Sequence, residues 1–437
     1  MDKILLIAPK SRSSGGSDIE AIRTPLTGLL ILATILDQDG YHVEFYDESF
    51  KKPDYDDFHP DYVLISARSS TANRSYRLGD YFKGRGVHVV LGGLHPSFKP
   101  KEALQHCDTV VVGEGETVIK KIIQEDVKGI VHADKLLDLD SIPLPDYDLV
   151  NGLKNPKTVS LCASRGCPYN CKFCSLKNMF GRKVRHVSNE KVVKYLKNFE
   201  NLKTLCFDEP NFSGDKKRAL DLLKKMHEHG VHPKRCWVSV SIDVAQKEEI
   251  LKWCNKVSEF NFVIGLESIN QDVLNSYDKR QDLETNIEYL KTIKDYGIKV
   301  EGSFVFGNDY DTKGSFQDTV DFCKHADIDF PAFFPLTPYV GTEVREELSD
   351  QGRIFTDNWD WYDNLHVVFH PKEMSAYELQ MGIMDCFDDF YSSRKGFKHL
   401  FKGELFYGGV SFYLMHLFRK MKKENQDFLE LLQNVSK

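Results

Sequence analysis

From residue 158 onward the chain sets down six short apolar runs, each followed by a helical or polar stretch. That alternation restricts the fold more than any other feature. The runs are "TVSLCAS" (158–164), "TLCFDEP" (204–210), "WVSVSI" (237–242), "EFNFVIGLES" (259–268), "KVEGSFVFG" (299–307) and "FPAFFPLTP" (330–338). Between them lie stretches such as "NEKVVKYLKNF" and "SGDKKRALDLLKKMHEHG". Successive βα units of this kind predict a (β/α)6 partial barrel, with its chemistry at the carboxyl ends of the strands.

A second series occupies residues 1–135, with strand runs "ILLIAP", "HVEFYD", "YVLIS", "VHVVLGG" and "TVVVGEGE". These runs are apolar nearly throughout, as in a parallel sheet covered on both faces. "TPLTGLLILATILDQDG" carries a helical period and stops at Gly40, a suitable C-terminal cap. The expectation is a doubly wound, Rossmann-like α/β domain whose ligands lie beyond the strand ends. Those ends read "APKSRSSGG", "SARSST", "GGLHPS" and "GEGE". Residues 136–157, polar and proline-rich, predict a linker; 158–345 make the barrel and 346–437 a helical C-terminal region.

Net charge is -7, which argues against a nucleic-acid binder. "MDKILLIAP" carries two charges and runs straight into a strand pattern, so no signal peptide is read there. No run is long enough to span a membrane. A cytoplasmic, reducing setting is expected, where clustered cysteines bind metal or do redox chemistry rather than form disulfides. In the tail, "FYLMHLFRKMKKENQDFLELLQ" reads as a helix packed on the barrel. The alternative is a basic amphipathic helix making peripheral contact with a membrane or lipid substrate. Phe406, Tyr407, Phe412 and Tyr413 there suit an apolar substrate or a packed helix equally.

Immediately after the first barrel strand stands "CPYNCKFC", with Cys167, Cys171 and Cys174 on one tight loop. A closed zinc site needs four ligands. Cys162 lies within a strand run and His186 follows a basic run, so neither is an evident fourth. Three thiolates also suit an iron–sulfur cluster with one iron open to an outside ligand. The residues alone leave both readings standing.

The C-x3-C-x-aromatic-C pattern, with Phe173 in the aromatic slot, resembles the signature of radical S-adenosylmethionine (SAM) enzymes. "GGLHPSFKPKEAL", "DTVVVGEGE", "SIPLPDYDLV", "FDEPNF", "IGLES", "GSFVFGND", "PLTPYVGTE" and "NLHVVFHPKEMSAYEL" extend the resemblance to the subgroup with an N-terminal cobalamin-binding domain. It implies that the three cysteines hold a [4Fe–4S] cluster and that SAM chelates the open iron. Reductive cleavage would then yield a 5′-deoxyadenosyl radical. Phe173 is placed near the adenine by this resemblance, and Asp208 or Glu209 receives the SAM ammonium. Adjacent strand residues face opposite ways, and Glu209 is the favoured contact. Glu267 and Ser268 would lie near SAM, with Gly302 and Gly307 giving the adenosyl group room.

For cobalamin, the resemblance nominates Ser66, Ser69, Ser70, Gly92, Gly93, Gly113, Glu114 and Gly115 as lining. The first strand-end loop lacks the histidine that ligates cobalt in some such domains. His95 is the one nearby substitute, and its placement beside proline favours a structural role. The chain departs from its relatives at "GNDYDT", where Gly-Leu-Pro-Gly is common, and at Ile269 and Asn270, where Gly-Ser is usual. The implied activity is methylation of carbon or phosphorus on a small-molecule or lipid-like substrate, fed by a flavodoxin or ferredoxin. Cyclisation or rearrangement, an empty cobalamin-like domain, an RNA methylthiotransferase and a non-enzymatic iron–sulfur or zinc redox protein are the alternatives.

Overall fold

The computed structural model describes residues 2–11, 23–133, 136–391 and 405–435. Its first sheet is wholly parallel: β1 (Lys3–Ala8), β2 (His42–Asp47), β3 (Tyr62–Ser66), β4 (His88–Gly92), β5 (Thr109–Val112) and β6 (Gly129–His132), in the order 2-1-3-4-5-6. In β1, Ile4 and Leu6 enter one core with the helix Thr27–Gln38, while Leu5 and Ile7 enter another with the helix Ala72–Lys83. Strand side chains alternate between faces, so an unbroken apolar run requires a cover on both. The doubly wound expectation holds. The sixth strand, "GIVH", lies in a polar stretch and carries no run long enough to announce it.

A two-rung antiparallel hairpin follows β7 (Thr158–Leu161) and pairs β8 (Ser164–Arg165) with β9 (Arg185–His186). The remaining strands are β10 (Thr204–Phe207), β11 (Arg235–Val240), β12 (Glu259–Glu267), β13 (Lys299–Phe306) and β14 (Ala332–Pro335). With β7 they form a second parallel sheet, open between β7 and β14, in the order 14-13-12-11-10-7. This is the partial barrel, and all six of its strands coincide with sequence runs.

The two sheets share one core. Leu139, Ile142, Tyr147 and Val150 of the connecting segment join the cluster that contains Leu30 of the first domain and Leu161 of the second. Tyr147 also exchanges hydrogen bonds with the Ser160 backbone, at 3.0 and 2.6 Å. The connector is therefore packed, not loose.

The C-terminal region is only partly helical. Between the helices Glu343–Asp350 and Ala376–Phe390, regular helix is limited to the short turn Trp359–Trp361. Asn358 and Asp363 bond nearby backbone N–H groups there, which competes with helix formation. This stretch returns to the first domain, where Trp359, Tyr362 and Val368 join the core behind Leu5. The later helix Leu405–Glu424 covers the barrel's strand-start end: Lys299 and Arg235 lie over the Tyr407 ring at 5.3 and 5.9 Å. Lys422 pairs with Asp385 and Asp388, so part of its basic cluster is met by protein. Among the described residues no helix is long and apolar enough to cross a membrane. The Phe406 side chain lies outside the described residues.

Candidate active site

Parallel sheets gather their loops at the carboxyl ends of the strands, and here those ends face each other across one cavity of about 600 Å³. Ser66, Ser69 and Ser70 line it from β3, beside the point where the first sheet's strand order reverses. Asp208 and Trp237 line it from the barrel, and Ser175, next to Cys174, completes the circuit. The indole N–H of Trp237, a residue that lines the cavity, is buried without a hydrogen-bond partner among the described residues.

The β8–β9 ladder closes the neck of the loop that carries the cysteines. Within it, the Cys167 N–H donates to the Gly181 carbonyl at 3.3 Å and the Lys172 N–H to the Tyr277 carbonyl at 3.1 Å. Cys167, Cys171 and Cys174 are free, half-buried thiols. Burial raises the pKa of each, and charge on a neighbouring thiol raises it further, while Lys279 opposes the rise. Among the described residues no group of three or more His, Cys, Asp or Glu side chains stands in metal-holding arrangement. The fit to a cluster therefore rests on the donor set: three free thiols on one loop, all acting on one another and on one ammonium. They suit iron, which takes thiolate ligands.

Lys279 escaped the sequence reading because "DKR" carries no periodic signal. Its ammonium donates to Glu267 at 2.6 Å and lies 5.9 Å from the Phe173 ring. Burial works against its charge, and Glu267 with the Cys171 and Cys174 thiols overcomes that, raising its pKa. Glu267 itself has φ 65° at an irregularity between β12 and β13. Such backbone costs of order 1–3 kcal/mol for a residue other than glycine and clusters at functional sites. Ser268 is turned to a local task, accepting from the Asn270 N–H at 3.0 Å.

Several sequence expectations change place. Glu209, favoured for SAM, is buried, receives the Arg218 guanidinium at 3.1 Å and accepts from Ser164 at 2.6 Å. Its neighbour Asp208 is the carboxylate that opens onto the cavity. Gly302 and Gly307 do not line the cavity: added Cβ atoms would meet Leu266 and Ile328 at the first, and Leu379 and Phe369 at the second. Of the first-domain nominees, only the three serines line the cavity. Gly93 instead has φ 96° and approaches the Ala67 backbone, where a Cβ would crowd it. Gly92 faces Val111, Gly113 faces Ala133 and Gly115 faces Leu32. Glu114 is paired with arginines.

His95 is fully buried, bonded to Ser69 at 3.2 Å and stacked edge-on to Trp359. It serves as a structural histidine, as its position beside proline suggested. Tyr407 lies at the opposite end of the barrel from the cavity. Within the loop "APKSRSSGG", residues 12–16 lie outside the described residues.

Residues 161–323 match the Radical SAM superfamily, and residues 23–123 match the B12 binding domain. The chain is 31% identical over 392 residues to bacteriochlorophyllide d C-12(1)-methyltransferase of Chlorobaculum tepidum, covering 86% of this chain and 84% of that protein. It belongs to the B12-binding radical SAM family.

Hopanoid C-2 methylase of Rhodopseudomonas palustris is 26% identical, over 82% of this chain and 72% of that protein. Among solved structures, the cobalamin-dependent SAM radical enzyme OxsB superposes with TM-score 0.70 at 14% identity, covering 95% of this chain and 72% of that one. The radical SAM methyltransferase TsrM from Kitasatospora setae gives 0.62 at 16%, over 80% and 78%. These two share the fold. The cofactors of this radical SAM enzyme are a [4Fe–4S] cluster, SAM and cobalamin.

Proposed function

We propose that this radical SAM enzyme transfers a methyl group to an unactivated carbon or phosphorus centre of a small-molecule or lipid-like substrate. The reading is carried by a cavity that touches the serine loop of the first domain, Asp208 and Trp237 of the barrel, and the cysteine loop at Ser175. Its nearest support outside the molecule is that relatives spanning most of the chain are named as methyltransferases.

When bound, the cluster, SAM and cobalamin supply one-electron cleavage and methyl carriage; the protein positions them and excludes water. Cys167, Cys171 and Cys174 hold the cluster in this reading, and Lys279 balances the negative charge of their thiolates. Asp208 accepts from the SAM ammonium through a charge-assisted hydrogen bond. Ser66, Ser69 and Ser70 present hydroxyls to cobalamin, and Trp237 donates to an acceptor on the substrate. An external carrier such as a flavodoxin or ferredoxin delivers the electron.

The test uses full-length protein reconstituted without oxygen, a strong reductant, SAM and hydroxocobalamin. Release of methionine and 5′-deoxyadenosine, together with corrin absorption that survives desalting, is expected. Absence of SAM cleavage overturns radical initiation, and loss of the corrin bands overturns cobalamin as a working cofactor. Transfer of isotope from methyl-labelled SAM into an extracted small molecule then checks the methyl transfer itself.

A further inference from the structure

We infer that Glu114 and Glu116, on the loop after β5 of the first domain, are positioning residues for the cysteine loop of the second. The inference rests on the radical SAM reading only for the identity of the metal group.

Both carboxylates are buried between the domains, with side chains 2% and 5% exposed. Glu116 takes the Arg165 guanidinium at 2.5 Å. Glu114 takes Arg185 in a two-pronged contact at 2.6 and 3.0 Å, and the Arg165 guanidinium also lies 3.4 Å from the Glu114 carboxylate. The Leu137 N–H also donates to Glu114, at 2.9 Å. Arg165 and Arg185 are the paired residues of one rung of the β8–β9 ladder. The two carboxylates therefore grip both strands of the hairpin that closes the cysteine loop.

Little slack separates this grip from the first thiol. Arg165 is followed by Gly166 and then Cys167. Gly166 has φ 93°, and a Cβ there would collide with the Lys183 carbonyl. The Cys167 N–H is tied to the Gly181 carbonyl. A domain that contributes no thiol to the loop thus fixes where its first thiol begins. Removing either carboxylate leaves the two buried guanidinium groups of Arg165 and Arg185 to share a single carboxylate, so one positive charge there is uncompensated.

The experiment follows iron release from full-length protein reconstituted with ferrous iron and sulfide, using a ferrous chelator. Glu116→Gln should release iron about tenfold faster, the lower end of what outer-shell substitutions do to metal sites. The Glu114→Gln, Glu116→Gln double variant should be faster still. Arg165→Lys keeps the charge but loses the planar fork and should fall between wild type and the double variant. In metal-free protein the same variants should alkylate faster at Cys167.

Corrin retention and circular dichroism should be unchanged in Glu116→Gln. If the double variant does not fold, Glu116→Gln alone decides, because Arg185 still holds Glu114. Wild-type release rates, or a lowered melting midpoint with a wild-type release rate, overturn the proposal. Failure of the radical SAM reading would look different: unaltered protein would take up no iron at all.

Discussion

The two sheets have the same strand number and direction, yet only one has an interior. In the first, neighbouring residues of a strand enter two separate apolar cores, so both faces are filled and a ligand can reach only the strand ends. In the barrel, β11 buries Cys236, Val238 and Val240 in the outer layer and turns Arg235, Trp237 and Ser239 the other way. β13 does likewise with Lys299, Glu301 and Ser303. The inner face of β11 and β13 therefore carries polar side chains, whereas both faces of the first sheet are apolar. The pair Asp208 and Glu209 shows the same rule in miniature, one carboxylate facing the cavity and the other locked beneath it.

That contrast is breakable, beginning with its largest consequence. Cys171→Ala should reduce SAM cleavage to background and lower the iron content after reconstitution; retained cleavage would remove the barrel end as the reaction site. Glu209→Ala should cost about 3–5 kcal/mol in a urea melt, because it strands a buried guanidinium. Asp208→Asn should leave that melt within about 0.5 kcal/mol while raising the SAM KM about tenfold, the loss of one charge-assisted bond. A reversed pattern would return the SAM contact to Glu209.

A pH-dependent effect concerns Glu301, whose carboxyl is pushed up from 4.5 to about 7 by burial in the barrel. The fold favours its protonated form, so the unfolded chain ionises first as pH rises. Stability from this group is present below about pH 4.5 and is lost as pH rises through about 7. The loss is on the order of 2 kcal/mol at about 1.4 kcal/mol per unit, discounted for partial exposure. Glu301→Gln should flatten that part of the stability profile, read by urea melts across the window. An unchanged profile would mean that the inner face is as wet as the surface.

Strand positions were legible because apolar runs of β-branched and aromatic residues are a local property of the chain. The cysteine loop was legible because its three thiols are close in sequence. β6 was missed because four residues in a polar setting give no pattern, and the C-terminal return was missed because side-chain bonds from Asn358 and Asp363 replace helix there. Lys279 and Arg218 were missed for another reason: their partners are Glu267 and Glu209, and only folding reveals which carboxylates need a cation.

The sequence by itself determined two parallel α/β units, their order, and a loop of three thiols at the end of a barrel strand. Hydrophobic period and ligand spacing act over a few residues and need no knowledge of the rest. Tertiary structure alone decided which of two adjacent carboxylates is free, which glycines serve packing, and that the "GEGE" loop grips the cysteine hairpin. Those outcomes depend on which groups burial brings within a few ångströms of one another, and charge pairing at such distances is invisible along the chain.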